Sequence, residues 1–279
     1  MASKTRPPPT ALAPYLRLPP ETSLITLTAT LGCGTSAVWI AARYIAEIFA
    51  ERSERSEQSV RSEDGGNGDG MSVVVASWQH DEKFWKSEIR RTTGLDVTKL
   101  GGKERWKFLD FLTTTAPLGS MQEIETKILS VLPSGKQKTV LILDNPLLAL
   151  LTPSPSRDSQ TPYLNHFLLT LRSHPSIHST LLLLPSPSPL PPTTPWDSSI
   201  ANFTTSALHA SRLVLACREL ETGAARDVSG VLRITRGGDS DCGQGGEEGE
   251  EAEAELLYLI QRDGVAKVFK RGSGSGGEV

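Results

Sequence analysis

The chain has 279 residues, of which 38% are hydrophobic and 22% are charged, and its formal net charge is −3. This length and composition allow one large α/β domain or two small ones, and they exclude a wholly disordered chain. The three cysteines form no C-x-x-C pair, so neither a disulfide framework nor a zinc ribbon is expected. The sequence also has no long apolar run, which predicts a chain that is neither secreted nor membrane-spanning.

The first twenty residues, 1–20, are predicted to form a flexible tail, because their six prolines exclude a helix. Order is predicted to begin near Ser23. From there a single domain is expected to span residues 21–271, and residues 272–279 are expected to form a second flexible tail.

A strand is predicted over 23–28 because the residues alternate and are β-branched, and the apolar spacing from Ser36 onward is helical. The turn between them can be aligned with the phosphate-binding pattern G-x-x-x-x-G-K-[ST], in which the lysine reaches the outer phosphates. Ala29 then stands at the first glycine, Gly34 at the second, Thr35 at the lysine and Ser36 at the hydroxyl. The missing lysine predicts a vestigial loop without a bound cofactor; an ordinary glycine-containing turn is an equally weighted alternative.

Residues 51–70 are polar and glycine-rich and are predicted to be disordered. A buried strand is expected over 72–77, followed by a helix with Asp81 as its N-cap and Gly94 as its C′ residue. His80 lies between this strand and this helix. With no partner identified in the sequence, it is interpreted as a surface or capping histidine rather than an acid or base.

Further along, a short strand is predicted over 106–112, an amphipathic helix over 120–132 and a buried strand over 139–144. Alternating strands and helices build a parallel sheet with helices on its faces. The last of these strands ends in Asp144, at the sheet edge where α/β proteins bind ligands. In nucleotide hydrolases an acid there holds magnesium or orients water, but without the loop lysine Asp144 is interpreted as a vestigial acid.

The second half is predicted to add a short apolar helix after Asp144, helices over 163–171 and 196–209, and five strands over 180–184, 212–217, 231–236, 255–261 and 266–270. Two insertions interrupt it: the proline-rich 185–195, and 239–254, which lies in a tract of eight carboxylates without lysine or arginine. A mainly parallel sheet completed by antiparallel C-terminal strands predicts a three-layer, RecA-like α/β fold.

Several blocks resemble the Elongator complex protein 6 family. They are residues 222–238, 256–259 and 268–270, preceded in the same order by 73–80, 108–112 and 140–148. The C-terminal block is the most distinctive of them. The resemblance implies a non-catalytic RecA-like subunit, located in the cytoplasm and also in the nucleus, that forms a heterohexameric ring with Elongator subunits four and five. It also implies that this ring binds transfer RNA and joins the catalytic Elongator subcomplex, which modifies the wobble uridine.

Basic side chains near the C-terminus are candidates for RNA or ring-interface contacts: Arg226, Arg233, Arg236, Lys267, Lys270 and Arg271. Solvated charges or interface salt bridges are the alternative interpretation of the same residues. No metal site is predicted, since His166, His174 and His178 have no accompanying third ligand or carboxylate. Two alternatives to the whole interpretation stay open: an active RecA-like ATPase or recombinase-like enzyme, and a regulatory binding module without RNA.

Overall fold

The computed structural model describes residues 5–30, 37–59, 70–100, 105–113, 121–133, 137–151, 160–186, 194–220, 225, 227–240 and 253–271. Nine strands form one sheet: β1 (Ser23–Ala29), β2 (Ser72–Ser77), β3 (Trp106–Asp110), β4 (Thr139–Asp144), β5 (Ile177–Pro185), β6 (Leu213–Arg218), β7 (Gly230–Arg236), β8 (Ala254–Ile260) and β9 (Ala266–Lys270). Their spatial order is β3-β2-β4-β5-β1-β6-β7-β8-β9.

The sheet is parallel from β3 to β6 and antiparallel from β6 to β9. The central strands β2 and β4 are buried along their whole length, as is usual where helices cover both faces. Their near-continuous apolar sequences follow from this position. Strand β7 instead alternates between buried side chains and partly or fully exposed ones, which indicates one covered face.

Five α-helices lie on the two faces: α1 (Val38–Ser59), α2 (Glu82–Thr93), α3 (Met121–Ser130), α4 (Gln160–Ser173) and α5 (Pro195–His209). Helices α1 and α2 share one hydrophobic core with the sheet, and α3, α4 and α5 share a second core on the opposite face. The result is a three-layer α/β architecture with a mostly parallel sheet and antiparallel C-terminal strands, as the sequence predicts. None of the helices in the described ranges is both long enough and apolar enough to span a membrane.

The boundaries of α2 are set by its capping residues, as predicted. The Asp81 carboxylate accepts a hydrogen bond of 2.8 Å from the backbone N–H of Phe84, satisfying a donor that the first turn leaves unpaired. At the other end Gly94 has φ = 77° and donates its N–H to the carbonyl of Arg90. This left-handed conformation is strained for residues with a Cβ, so glycine ends the helix here.

Helix α1 is longer than predicted. It continues through Ser59, so the expected disordered connection of 51–70 is wrong over its first nine residues. Residues 51–59 contain no glycine or proline, and their Glu, Arg and Gln residues have good helix propensity. Residues 60–69 lie outside the described ranges, as do 187–193 of the predicted proline-rich insertion, 241–252 of the acidic insertion and 272–279.

The N-terminal segment is not a flexible tail over residues 5–20. Leu12 and Leu16 are almost completely buried against the core of α1, and a short 3-10 helix spans Ala13–Leu16. The backbone is also fixed, because the N–H of Arg6 donates to the carbonyl of Thr93 at 2.8 Å. The prolines exclude an α-helix over this segment, but they do not prevent the interleaved leucines from packing.

His178 lies at the start of β5 and is partly buried, and we expect it to make the free energy of unfolding depend on pH. Burial lowers the pKa of its imidazole, with Glu21 acting in the opposite direction and Lys138 adding to the decrease. The unfolded chain therefore binds more protons between the folded-state pKa and the unperturbed value of about 6.5. The contribution of the neutral His178 side chain to the free energy of unfolding is therefore fully present above about pH 6.5, and it decreases as the pH is lowered through this window.

His178→Gln is expected to remove this part of the pH dependence. Urea unfolding of wild type and variant at pH 7.5 and pH 5.5 measures it. His166→Gln, on an exposed position of α4, is the matched control and should lose as much stability at low pH as the wild type. An unaltered pH dependence in His178→Gln would contradict the assignment.

Candidate functional site

The site lies at the carboxyl edge of the parallel strands, where β2 and β4 end side by side. Ser77 and Asp144 are the last residues of these strands and are paired in register. The backbone N–H of Trp78 donates to the carbonyl of Asp144 at 3.1 Å, which extends the pairing by one residue. Both strands are continuous apolar runs until this point. Because they end side by side, these two polar side chains lie next to each other at the edge of the sheet.

The Asp144 carboxylate is the acceptor for three side chains. Its Oδ2 atom accepts hydrogen bonds from Ser77 Oγ at 2.7 Å and from the buried indole Nε1 of Trp85 at 3.1 Å. The same oxygen lies 2.8 Å from Nδ1 of His80. Asp144 is only 2% exposed. The carboxylate thus connects the ends of two strands to α2.

This arrangement has a clear structural use. A buried indole N–H and a buried hydroxyl each need an acceptor, and Asp144 supplies one for both. An acid that holds a metal or orients a water must direct lone pairs at that ligand, whereas Oδ2 of Asp144 directs them at three protein groups. Through Oδ2, Asp144 stabilises the fold by joining the ends of β2 and β4 to α2.

The sequence-based interpretation of His80 as a surface or capping histidine was incomplete, because it did not identify Asp144 as a partner of this side chain. Its imidazole stacks on Phe84 with ring centroids 4.1 Å apart and 11° between the planes, and only 17% of the side chain is exposed. Its backbone N–H donates to Ser77 Oγ at 2.9 Å. The contact with Asp144 could not be found from the sequence, because it depends on which strand lies next to β2.

Asn145, immediately after Asp144, has a strained backbone. Its φ of 54° falls in the left-handed region, which asparagine tolerates better than most residues. Its amide Nδ2 donates to Gln79 Oε1 at 2.9 Å, a second link between the loops after β2 and β4. Its Oδ1 is buried and has no hydrogen-bond donor in the described part of the chain. Strain of this kind concentrates at functional edges of folds.

Only the beginning of the predicted phosphate-binding loop can be placed. Ala29 ends β1, and the following Thr30 donates its N–H to the carbonyl of Cys217 at 3.1 Å. Gly34, Thr35 and Ser36 lie outside the described residues. Strand β5 runs between β1 and β4, so the ends of these two strands are separated by two strand spacings, about 10 Å. The vestigial-loop interpretation therefore stays a prediction.

The predicted C-terminal cations do not form one continuous patch. Arg233 on β7 is exposed and is paired in register with Glu255 on β8, which itself forms an ion pair with Arg271. A carboxylate thus lies between two of the candidate cations. The ion pair of Arg271 favours cross-strand pairing over phosphate binding for this residue, whereas Arg233 stays a candidate RNA contact.

The remaining cations point in different directions. Side chains alternate between the two faces along β9. Ala266 lies in the core under α1 and Val268 packs against that core, so Lys270 lies on this same face. Lys267 lies on the opposite face. Arg236 is exposed at the end of β7, and its backbone N–H donates to Glu253. Arg226 lies outside the described residues. The sheet therefore divides these candidate RNA contacts between two faces.

Histidine, cysteine and carboxylate side chains are not clustered in the part of the chain that the structure describes. The ranges that it describes contain no group of three or more histidine, cysteine, aspartate or glutamate side chains arranged to hold a metal ion. Cys217 in β6 is buried and forms no disulfide with another described residue. Cys33 and Cys242 lie in parts of the chain that are not described.

Comparisons with known proteins place the fold. No protein-family model and no curated protein sequence matches the chain. Among solved structures, the chain is similar to a KaiC-like protein from the hyperthermophilic archaeon Pyrococcus horikoshii OT3, with a TM-score of 0.56 and 15% sequence identity. The match covers 90% of this chain and 91% of that protein. The chain therefore has a RecA-like fold, as its strand order and antiparallel C-terminal strands indicate.

Proposed function

We propose that this chain is a non-catalytic RecA-like subunit of the Elongator accessory ring, assembled with subunits four and five. In that role it supports transfer RNA binding and wobble-uridine modification by the catalytic Elongator subcomplex. The resemblance of residues 222–238 and of the shorter blocks before and after it to the Elongator complex protein 6 family supports the partners. The cytoplasm, with the nucleus as a second compartment, is the proposed location.

The hydrogen bonding of Asp144 is the observation that carries the non-catalytic part of the proposal. In a working nucleotide site the acid at this strand end and the loop lysine act together on magnesium and the phosphates. Here three protein side chains occupy Oδ2 of the acid, and threonine stands at position 35 in place of the lysine. The missing lysine removes charge stabilisation, which is the main contribution of such sites to phosphoryl transfer, and the three contacts leave Oδ2 engaged with protein groups.

Assembly is tested by mixing the purified chain with Elongator subunits four and five and measuring the mass of the product. A complex with two copies of each subunit is the expected result. A chain that stays monomeric in that mixture would contradict the proposed ring. The chain alone and each pairwise mixture are the controls.

The active ATPase is the second candidate, supported by the position of Asp144 at the carboxyl end of β4 and by the strained Asn145 beside it. It is tested by ATP turnover with the purified chain and with Asp144→Asn, which keeps the side-chain size. We expect no turnover above that of buffer from either protein. Turnover by the wild type that Asp144→Asn abolishes would establish the enzyme instead.

RNA binding by this subunit is tested within the assembled ring. We expect that replacing Arg233 and Lys267 by glutamine weakens transfer RNA binding and makes the dependence of log K on log salt shallower, by about 0.7 to 0.9 for each phosphate that is no longer neutralised. Arg17→Gln, exposed far from these strands in sequence, is the control and should change neither quantity. Unchanged affinity and slope in the double variant would favour a regulatory module whose own side chains do not contact RNA.

A further inference from the structure

A groove of about 890 Å³ lies between the last strand of the sheet and the N-terminal segment. One wall is formed by residues 265–270, which include all of β9, and the other by residues 6–11 with Pro14 and Tyr15. Arg43 of α1 also lines it. The groove exists because the N-terminal segment packs on α1 and stops short of the sheet edge. It is unrelated to the site at the ends of β2 and β4.

Strand β9 is the edge of the sheet, and its free side carries backbone hydrogen-bonding groups. The N–H of Gln261 donates to the carbonyl of Val265 at 2.9 Å, and the register pairs Leu259 with Lys267. Backbone groups alternate in direction along an antiparallel strand, so the N–H and C=O groups of Ala266 and Val268 point away from β8. No described strand pairs with them, and an edge of this kind is a template for an added strand.

The lining of the groove is positively charged. Its cations on the α1 side are Arg6, Arg43 and Lys270, while the side chain of Lys267, which also lines it, lies on the opposite face of β9; no acidic residue lines it. The nearest acid to Arg6 is Asp263, whose carboxylate lies 4.0 Å away in an exposed ion pair. The other lining side chains are mainly apolar, with Pro7, Pro8, Pro9, Tyr15 and Val268 among them. This combination favours a ligand with both acidic and apolar side chains.

Arg43 adds an unpaired donor to this lining. Its side chain is almost completely buried, and its Nη1 donates to the backbone carbonyls of Arg6 at 3.0 Å and Pro7 at 3.2 Å. Its Nε is buried and has no hydrogen-bond partner in the described part of the chain. Burial lowers the pKa of this guanidinium, Arg6 adds to the decrease, and Glu47 on the same helix acts in the opposite direction and offsets part of the cost of burying the charge. An acidic ligand nearby would offset that cost.

We propose that this groove binds an extended acidic segment of a partner protein, which adds to β9 as a further strand. Main-chain hydrogen bonds to the edge would supply affinity, and the cations would select acidic side chains. Five residues of β9 correspond to about 17 Å of strand, so the bound segment is short. The proposal is independent of the Elongator ring.

The probe is a displayed library of random twelve-residue peptides, selected on the full-length protein and then measured as labelled synthetic peptides by fluorescence anisotropy. We expect the selected peptides to carry aspartate or glutamate among alternating apolar residues. Binding to Arg6→Glu should be at least fivefold weaker than to wild type. Arg17→Glu, which makes the same charge change outside the groove, is the matched control and should change the affinity less than twofold.

The edge itself is tested with Val268→Pro, which removes one outward N–H. Proline is tolerated on edge strands where the N–H faces away from the sheet, so the β8–β9 pairing should persist. We expect at least tenfold weaker peptide binding to this variant. Val268→Ala loses the same side chain but keeps the N–H, and it should bind within about twofold of the wild type.

Amide hydrogen exchange in the wild-type protein gives a readout that does not depend on any variant. A selected peptide should slow the exchange of the Val268 amide more than that of Lys267, whose N–H already faces β8. Ala266 is only 3% exposed, so its amide is not used as a readout. The proposal is overturned if no peptide is selected, if the selected peptides lack acidic residues, or if a bound peptide leaves the Val268 amide unprotected. Equal binding to a folded Val268→Pro would overturn it as well.

Discussion

Replacing Asp144 by alanine is expected to lower the free energy of unfolding by about 3 kcal/mol, a large part of the stability of a typical domain. The reason is that the donors of Ser77 and Trp85 stay buried when their shared acceptor is removed. His80 loses its partner at the same time. Urea unfolding followed by tryptophan fluorescence measures the change, since Trp85 is one of the five tryptophans that contribute to the emission.

Asp110→Ala is the matched control, because Asp110 also ends a strand of the same sheet, next to β2. Its partly exposed carboxylate accepts hydrogen bonds from the backbone N–H groups of Leu112 and Thr113, a local capping role. We expect this substitution to cost about 1 kcal/mol. If Asp144→Ala cost no more than Asp110→Ala, the structural role assigned to Asp144 would be wrong and a ligand-binding role would be favoured.

The double substitution Leu12→Ala and Leu16→Ala is expected to lower the free energy of unfolding by about 5 kcal/mol and the Tm by about 10 °C or more. Both side chains are at most 1% exposed in the core under α1, and their loss leaves cavities between the N-terminal segment and that helix. Differential scanning calorimetry measures the shift. The same variant should also lose peptide binding in the groove, because the segment forms one of its walls.

Arg17→Ala, an exposed position beside these leucines, is the control and should change the Tm by less than about 2 °C. A flexible N-terminal tail, as the prolines suggest, predicts that neither substitution has a measurable effect. A Tm unchanged in the double variant would therefore restore the tail interpretation.

Local signals predicted much of this fold. Strands β2 and β9 have the predicted boundaries, and α2 begins and ends at the predicted capping residues. These elements are specified by short-range physics: an uninterrupted apolar run, a tight hairpin, and caps that satisfy their own helix. The order of parallel strands followed by antiparallel strands was sufficient to predict a RecA-like architecture.

Contacts between distant segments account for the failures. The burial of Leu12 depends on α1, and the contact between His80 and Asp144 depends on β4 being next to β2. Neither relation is encoded within a window of a few residues. The polar end of α1 is a different case, since glutamate and arginine favour both a solvated helix and a disordered connection, and composition alone does not separate the two.

The position of β1 in the sheet has a consequence for biosynthesis. This first strand pairs on one side with β5 and on the other with β6, whose residues follow it by about 150 and 190 positions. At a synthesis rate of about 5–20 residues per second, β1 leaves the ribosome roughly 10 to 40 seconds before its second neighbour exists. While the edges of β1 are unpaired, this apolar strand can associate with other chains. A nascent-chain chaperone that covers β1 would therefore raise the yield of folded protein.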